Sequence, residues 1–266
     1  MVRLLAFDTS TETMVAAALG PRGRSGAAAP GGPAASSALL PLLESQLEAA
    51  GLAYADLDAI AFGRGPGAFT GLRTSCAVAQ GLGLGLGRPL LALDSLLLVA
   101  EDARAACGLG AGEVVAVAMD ARMDEVYAAR YAWQPPRWVV LDAPALYTLA
   151  ALQAAWGTQP ATLRAGNATA AFGARLACPP GARDAGPERD RAAALLRLAE
   201  AGWTAGDAVD PAQALPLYLR DKVALTTDER AAARAATAMG AMGAVDAAGA
   251  VDAAGATAPT GAATPP

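Results

Sequence analysis

The chain has 266 residues, a formal net charge of -5, 54% hydrophobic residues but only 5% aromatics, and no histidine. At about 100–200 residues per domain, that length allows one large domain or two small ones. Without histidine there is no Ser-His or Cys-His nucleophile pair, no His-ligated zinc and no imidazole base near neutral pH. Carboxylate chemistry and nucleotide binding through backbone amides stay open.

Much of the apolar fraction is alanine, which predicts a closely packed core of Leu, Val and Ala. The acidic balance argues against direct nucleic-acid binding, which needs a clustered basic surface. Lys222 is the one lysine. Cys76, Cys107 and Cys178 lie far apart with no CxxC pair. They read as small buried hydrophobes in a reducing cytoplasm. Residues 1–7 meet Asp8 too soon for a signal peptide. The apolar stretch 76–100 is broken by Gln80, Arg88, Pro89 and Asp94, so no membrane span is expected.

Residues 2–7 predict a buried strand ending at Asp8, and residues 14–19 the returning strand of a hairpin. Residues 21–33 read as a Gly/Pro/Ala loop. Ser36 or Ser37 is placed to cap a helix through Ala50, with Leu39, Leu40, Leu43 and Leu47 on one face and Pro41 near the first turn. A short strand at 58–62 runs into a glycine-rich block, and a helix at 70–86 stops at Gly87 and Pro89. Residues 90–93 predict another strand, with Ser95 capping the next helix. Residues 114–119 form an apolar strand that again ends in an aspartate, Asp120, followed by a polar turn and a strand at 125–131. The two hairpins read as an internal duplication. Helices are expected at 143–156 and 188–201, giving two halves with mixed sheets. From Arg230 on, the chain lacks Leu and aromatics and repeats Val-Asp-Ala-Ala-Gly-Ala. That composition predicts a disordered tail at 230–266.

Four constellations bear on chemistry. Asp8-Thr9-Ser10-Thr11 could face a metal-bound phosphate, although alone an ordinary polar turn explains it. Gly63-Arg64-Gly65-Pro66-Gly67-Ala68-Phe69-Thr70-Gly71-Leu72-Arg73 joins a strand to a helix, where glycine loops cradle phosphate. It matches neither GxGxxG nor a Walker A loop. The helix it opens carries two rows of small residues: Gly71, Ser75, Ala79, Gly83, Gly87 and Ala77, Gly81, Gly85. Each interior glycine costs about 1 kcal/mol against alanine, so close neighbours are expected. The row with Ser75, Ala79 and Gly83, together with Leu39, Leu43 and Leu47, is expected to supply a dimerisation surface. Asp120-Ala121-Arg122-Met123-Asp124 has no glycine, which reads as a phosphate loop without a function.

These residues, with Glu125-Val126-Tyr127 and Pro216-Leu217-Tyr218-Leu219-Arg220, resemble the TsaB (YeaZ) family in order and spacing from residue 1 to about 225. The resemblance implies a two-lobed actin-like (ASKHA, ribonuclease H-like) α/β fold. The N-terminal lobe would be 1–100, the C-terminal lobe 101–229 and the tail 230–266. It implies a non-catalytic, cytoplasmic scaffold in the complex that makes threonylcarbamoyladenosine beside the tRNA anticodon. The implied partners are a TsaD-like catalytic subunit and a TsaE-like ATPase, with a homodimer when the partner is absent. No cofactor, metal, direct tRNA contact or membrane contact is implied. Asp8, Thr9, Ser10, Thr11 and Asp120 would be the remains of a nucleotide site. Family members often carry a histidine before the Leu-Leu-Pro of the first helix, where this chain has Ser36 and Ser37. The competing classes are an actin-like small-molecule kinase or ATPase and a glycoprotease-like peptidase.

Overall fold

The structure is a computed structural model and describes residues 1–220. The expected disordered tail lies outside the described residues.

Two five-stranded mixed sheets organise the compact unit Met1–Leu219. The first holds β1 (Leu4–Asp8), β2 (Thr13–Gly20), β3 (Gly23–Pro30), β4 (Ala59–Gly65) and β5 (Leu90–Asp94) in the order β3-β2-β1-β4-β5. The second holds β6 (Val114–Asp120), β7 (Glu125–Gln134), β8 (Arg137–Thr148), β9 (Leu163–Ala165) and β10 (Arg183–Asp184) in the order β10-β9-β6-β7-β8. In each sheet the first three strands in sequence run antiparallel and the last two add in parallel. The duplication expected of one hairpin therefore extends across the whole sheet.

Every residue of β1 is buried, because both faces of the first sheet are covered. Leu5 and Phe7 point toward α1 (Ala35–Ala50) and α2 (Phe69–Leu86). Leu4 and Ala6 point the other way, toward α6 (Arg191–Ala205). That two-residue alternation with both sides apolar makes the strand read as a continuous hydrophobic run. The second sheet packs one face on α3 (Ser95–Cys107) and the other on α4 (Leu149–Trp156) and α5 (Ala168–Phe172).

Several expectations are corrected. The loop at 21–33 contains β3, whose residues alternate between half-buried and exposed. Its Gly/Ala composition carries little strand signal, and the ladder to β2 supplies the order. Helix α1 starts at Ala35 after a 3-10 turn at Gly32–Ala34, with no side-chain cap. Pro41 therefore sits inside the helix, and Leu40 is 45% exposed while Leu39, Leu43 and Leu47 are buried. Asp94, not Ser95, caps α3, accepting from the Leu96 and Leu97 amides. Residues 143–148 extend β8, so only 149–156 of the expected helix is helical. Of the cysteines only Cys76 is buried; Cys178 is exposed. Among the described residues no helix is long and apolar enough to cross a membrane.

Candidate functional site

The first hairpin and the glycine block interlock. Asp8 is 1% exposed at the end of β1. Its Oδ1 accepts from the Ser10 amide at 2.6 Å, and its Oδ2 from the Ser95 hydroxyl at 2.8 Å. The Ser95 hydroxyl in turn accepts from the Gly65 amide at 3.0 Å. A Cβ on Gly63 would fall 2.1 Å from Asp8 Oδ2, one on Gly67 2.4 Å from the Ser10 carbonyl, and one on Gly71 1.9 Å from the Thr9 carbonyl. The Thr9 hydroxyl donates to the Gly71 carbonyl at 2.7 Å, and the Ala68 amide donates to the Ser10 carbonyl at 2.8 Å. Gly67 and Gly71 thus make room for the hairpin's own backbone, and Gly63 for the Asp8 carboxylate, rather than for an anion. Thr11 closes the turn by donating to the Thr13 carbonyl at 2.7 Å.

An arginine from distant sequence completes the cluster. Arg191, the first residue of α6, is 7% exposed, and its Nη2 lies 3.3 Å from Asp8 Oδ2 and 3.3 Å from Ser10 Oγ. Its Nη1 donates to Glu188 at 3.0 Å and 3.2 Å. Burial pushes the Asp8 carboxyl up, but the Arg191 guanidinium and the hydrogen bonds from Ser10 and Ser95 outweigh it and hold it below the usual carboxylate range. Burial works against the Arg191 charge too, and Glu188 and Asp8 more than restore it.

Asp120 sits at the matching end of β6. Its amide donates to Asn167 Oδ1 at 2.8 Å, and its Oδ1 accepts from the Arg122 amide at 2.8 Å. The turn beyond it places Arg122, Met123 and Asp124 at positive φ of 64°, 58° and 56°. The turn has no glycine to let backbone approach a phosphate closely, and the side chains of Arg122, Met123 and Asp124 are exposed. Among the described residues no group of three or more His, Cys, Asp or Glu is placed to hold a metal ion. The residues fit a magnesium–nucleotide poorly: Asp8 is paired with a buried guanidinium, and the turn after Asp120 has no glycine.

The remaining motif residues meet the end of the described chain. The Leu217 amide donates to the Arg64 carbonyl at 2.7 Å. Arg73 lies 3.8 Å over the Phe69 ring and donates to the Tyr218 hydroxyl at 3.1 Å. Phe69 and Tyr218 stack with centroids 5.3 Å apart. Pro66 is buried; Thr70 is exposed, its carbonyl accepting from Thr74. The two motif blocks, far apart in sequence, thus form one surface cluster.

The expected dimerisation residues are corrected. Leu39, Leu43, Leu47, Ser75, Ala79 and Gly83 are all buried in the chain's own core. A Cβ on Gly83 would meet Pro211 at 2.8 Å and Leu90 at 2.9 Å. The row facing outward is Ala77, Gly81 and Gly85, and a Cβ on either glycine would meet nothing within 4 Å. Sequence reasoning missed Ser95 and Arg191 as partners of Asp8, and Glu188 as the second carboxylate on Arg191. Their signal was faint: Glu188-Arg189-Asp190-Arg191 is a run of charge in a chain with 17% charged residues.

A family model described as "TsaD: tRNA N6-adenosine threonylcarbamoyltransferase" matches residues 33–171. The tRNA threonylcarbamoyladenosine biosynthesis protein TsaB of Haemophilus influenzae is 40% identical over 124 residues, covering 47% of this chain and 51% of that protein. The protein of the same name from Escherichia coli K12 is 43% identical over 93 residues, or 35% and 39% of the two chains. The chain thus spans about half, or less, of the length of these curated relatives. Two solved structures from Pseudomonas aeruginosa align more fully. One, an uncharacterized protein with similarity to peptidase YEAZ, is 36% identical with a TM-score of 0.72 over 83% of this chain and all (100%) of its own. The other, YeaZ, is 35% identical with a TM-score of 0.69 over 82% and 100%.

Proposed function

The chain belongs to the family that the TsaD model describes, on its TsaB (YeaZ) branch, and from that premise we propose that it is a non-catalytic subunit in the making of threonylcarbamoyladenosine in tRNA. Its fold is the actin-like one. It works in the cytoplasm beside a TsaD-like catalytic subunit and a TsaE-like ATPase, and it leaves tRNA contact to them. The observation that carries this reading is the Asp8–Arg191 ion pair. A carboxylate already neutralised by a buried guanidinium offers a metal ion less charge than a free one. The glycine-free turn after Asp120 points the same way. Both features weigh against the kinase or ATPase alternative, and the missing histidine weighs against a metallopeptidase.

The test is reconstitution. The purified chain alone should show no ATP turnover and no transfer to tRNA. Adding it to the TsaD-like and TsaE-like subunits should raise formation of the modified adenosine. Steady turnover by the chain alone, abolished by Asp8→Asn, would return the enzyme reading.

The partner surface we assign is the outward row of α2. Gly81 and Gly85 cost helix propensity, and nothing in the packing of the described residues requires them. Exposed Leu84 at 63% and Leu40 at 45% add apolar area on the outward sides of α2 and α1. Gly81→Ala and Gly85→Ala should each stabilise the isolated chain by about 0.5–1 kcal/mol. Gly81→Trp should leave the chain folded and abolish pull-down of the TsaD-like subunit. Undiminished pull-down by folded Gly81→Trp would place the interface elsewhere.

A further inference from the structure

A cleft of about 410 Å³ shares no lining residue with the Asp8–Arg191 cluster. It is bounded by the end of β5, helices α3 and α6, and the β7–β8 turn. One wall is apolar, with Leu93 and Leu97 half-buried. Another is aromatic: the Trp133 and Trp138 rings lie with centroids 5.2 Å apart, and the Arg104 guanidinium lies 4.5 Å over one face of Trp133, which leaves its other face and Trp138 for a ligand. Two of the chain's 4 tryptophans thus meet in one concave place, although only 5% of its residues are aromatic.

The polar side of the cleft is built in advance. Glu101 is 2% exposed and accepts from Arg104 at 2.8 Å and 2.7 Å, from the Trp138 indole N–H at 3.1 Å, and from Arg197 Nε. That carboxylate holds two guanidinium groups and one indole in fixed positions. Arg197 spends only Nε on it, so both of its terminal nitrogens remain as donors among the described residues. Asp94 is occupied as well: it accepts from the Tyr131 hydroxyl and from the first amides of α3. Arg64 is exposed at the rim, and its charge acts on Asp94. Its motif neighbours are explained by close packing, Gly63 on the Asp8 carboxylate, Gly65 on Leu72 and Gly67 on the Ser10 carbonyl, but the Arg64 side chain makes no hydrogen bond among the described residues. Asp94 and Glu101 are satisfied internally and Arg104 is spent on Glu101, whereas Arg64 and the terminal nitrogens of Arg197 are left as donors among the described residues; with Asp207 and Arg137 counted, the lining carries four guanidinium groups against three carboxylates. On a chain of net charge -5, that is a local excess of donors for an anion.

We propose that this cleft binds a small anion with a planar aromatic body, its ring against Trp133 and Trp138 and its carboxylate or phosphate on Arg64 and Arg197. The volume suits such a ligand, since small-molecule sites span about 300–1,000 Å³. The combination of indole faces with guanidinium forks is what recognises a flat ring carrying a charged oxygen group.

The full chain is titrated with indole-3-acetate and, separately, with AMP, followed by tryptophan fluorescence and calorimetry. One of the two should saturate with a Kd below about 1 mM. Saturation by indole-3-acetate assigns a carboxylate ligand, and saturation by AMP a mononucleotide. Arg64→Gln should weaken binding about tenfold with an unchanged melting temperature, because the side chain is exposed. Trp133→Leu should weaken it about fivefold or more. Arg175→Gln, a remote exposed arginine, should bind like the parent. If neither probe saturates by about 10 mM, the proposal is wrong. It is equally wrong if either Arg64→Gln or Trp133→Leu keeps the parent's affinity, because the bound probe then sits elsewhere.

Discussion

Replacing Arg191 by methionine should cost the fold about 3–5 kcal/mol at neutral pH, because it leaves a buried carboxylate without its counter-charge. Asp8 is 1% exposed, and among the described residues no second cation touches it. The pH dependence gives this cost a signature. In the parent, Asp8 has a lowered pKa in the folded state. Its contribution is fully present above about pH 4, the unfolded carboxylate range, and is lost as the pH falls through the lowered value. In Arg191→Met the burial that already pushes Asp8 up is no longer opposed by the guanidinium. The variant should then lose stability as the pH rises above about 4. The gap between the two proteins is therefore widest at neutral pH and narrows in acid. Adding Asp8→Asn to Arg191→Met removes the orphaned charge and should recover most of the loss. Urea unfolding of the parent and both variants at pH 7 and pH 4.5 measures all of this. A loss under about 1 kcal/mol, the same at both pH values, would mean that the pair contributes like a surface salt bridge.

The first sheet and its helices were largely legible because their signals are local. A buried strand ending at Asp8, a glycine at the left-handed stop of α2 (Gly87, φ 62°) and an apolar strand ending at Asp120 each announce themselves within a few residues. Helix α6 was legible from 3.6-residue periodicity, within a few residues at each end. The edge strands were not. β3 is written in Gly, Ala and Ser, and only pairing with β2 makes it a strand. β10 is two residues long and exists through its neighbour β9. The direction of small-residue rows was equally hidden. Ser75–Ala79–Gly83 and Ala77–Gly81–Gly85 look alike in sequence, and only Pro211 and Leu90 packed on Gly83 decide which row is core. The site followed the same rule. Asp8 and the glycine block were found by motif, but Arg191 reaches Asp8 across 183 residues, a pairing that no local pattern encodes.

The glycines of the motif should behave in two opposite ways when changed to alanine. Gly71→Ala should be among the most damaging small substitutions in the chain. Its Cβ would come within 1.9 Å of the Thr9 carbonyl oxygen, where the backbone of the first hairpin crosses the first turn of α2. The clash is with main chain, so no rotamer change relieves it. The hairpin would have to lift, taking with it the Thr9–Gly71 hydrogen bond and the Ala68–Ser10 bond. A loss of about 3 kcal/mol or more is expected, from overpacking together with broken buried hydrogen bonds. Gly63→Ala should fall in the same class, since its Cβ would sit 2.1 Å from the Asp8 carboxylate that Ser10, Ser95 and Arg191 hold in place. Gly81→Ala and Gly85→Ala, about three and four turns further along the same helix, meet open space among the described residues and should gain stability instead. The comparison controls for helix propensity, which favours alanine at every helical position. Melting temperatures of the isolated chain would show the split, with Gly71→Ala falling and Gly81→Ala rising. If all the substitutions shifted stability upward alike, the close approach of hairpin to helix would be disproved, and the glycine block would regain its reading as a loop open to an anion.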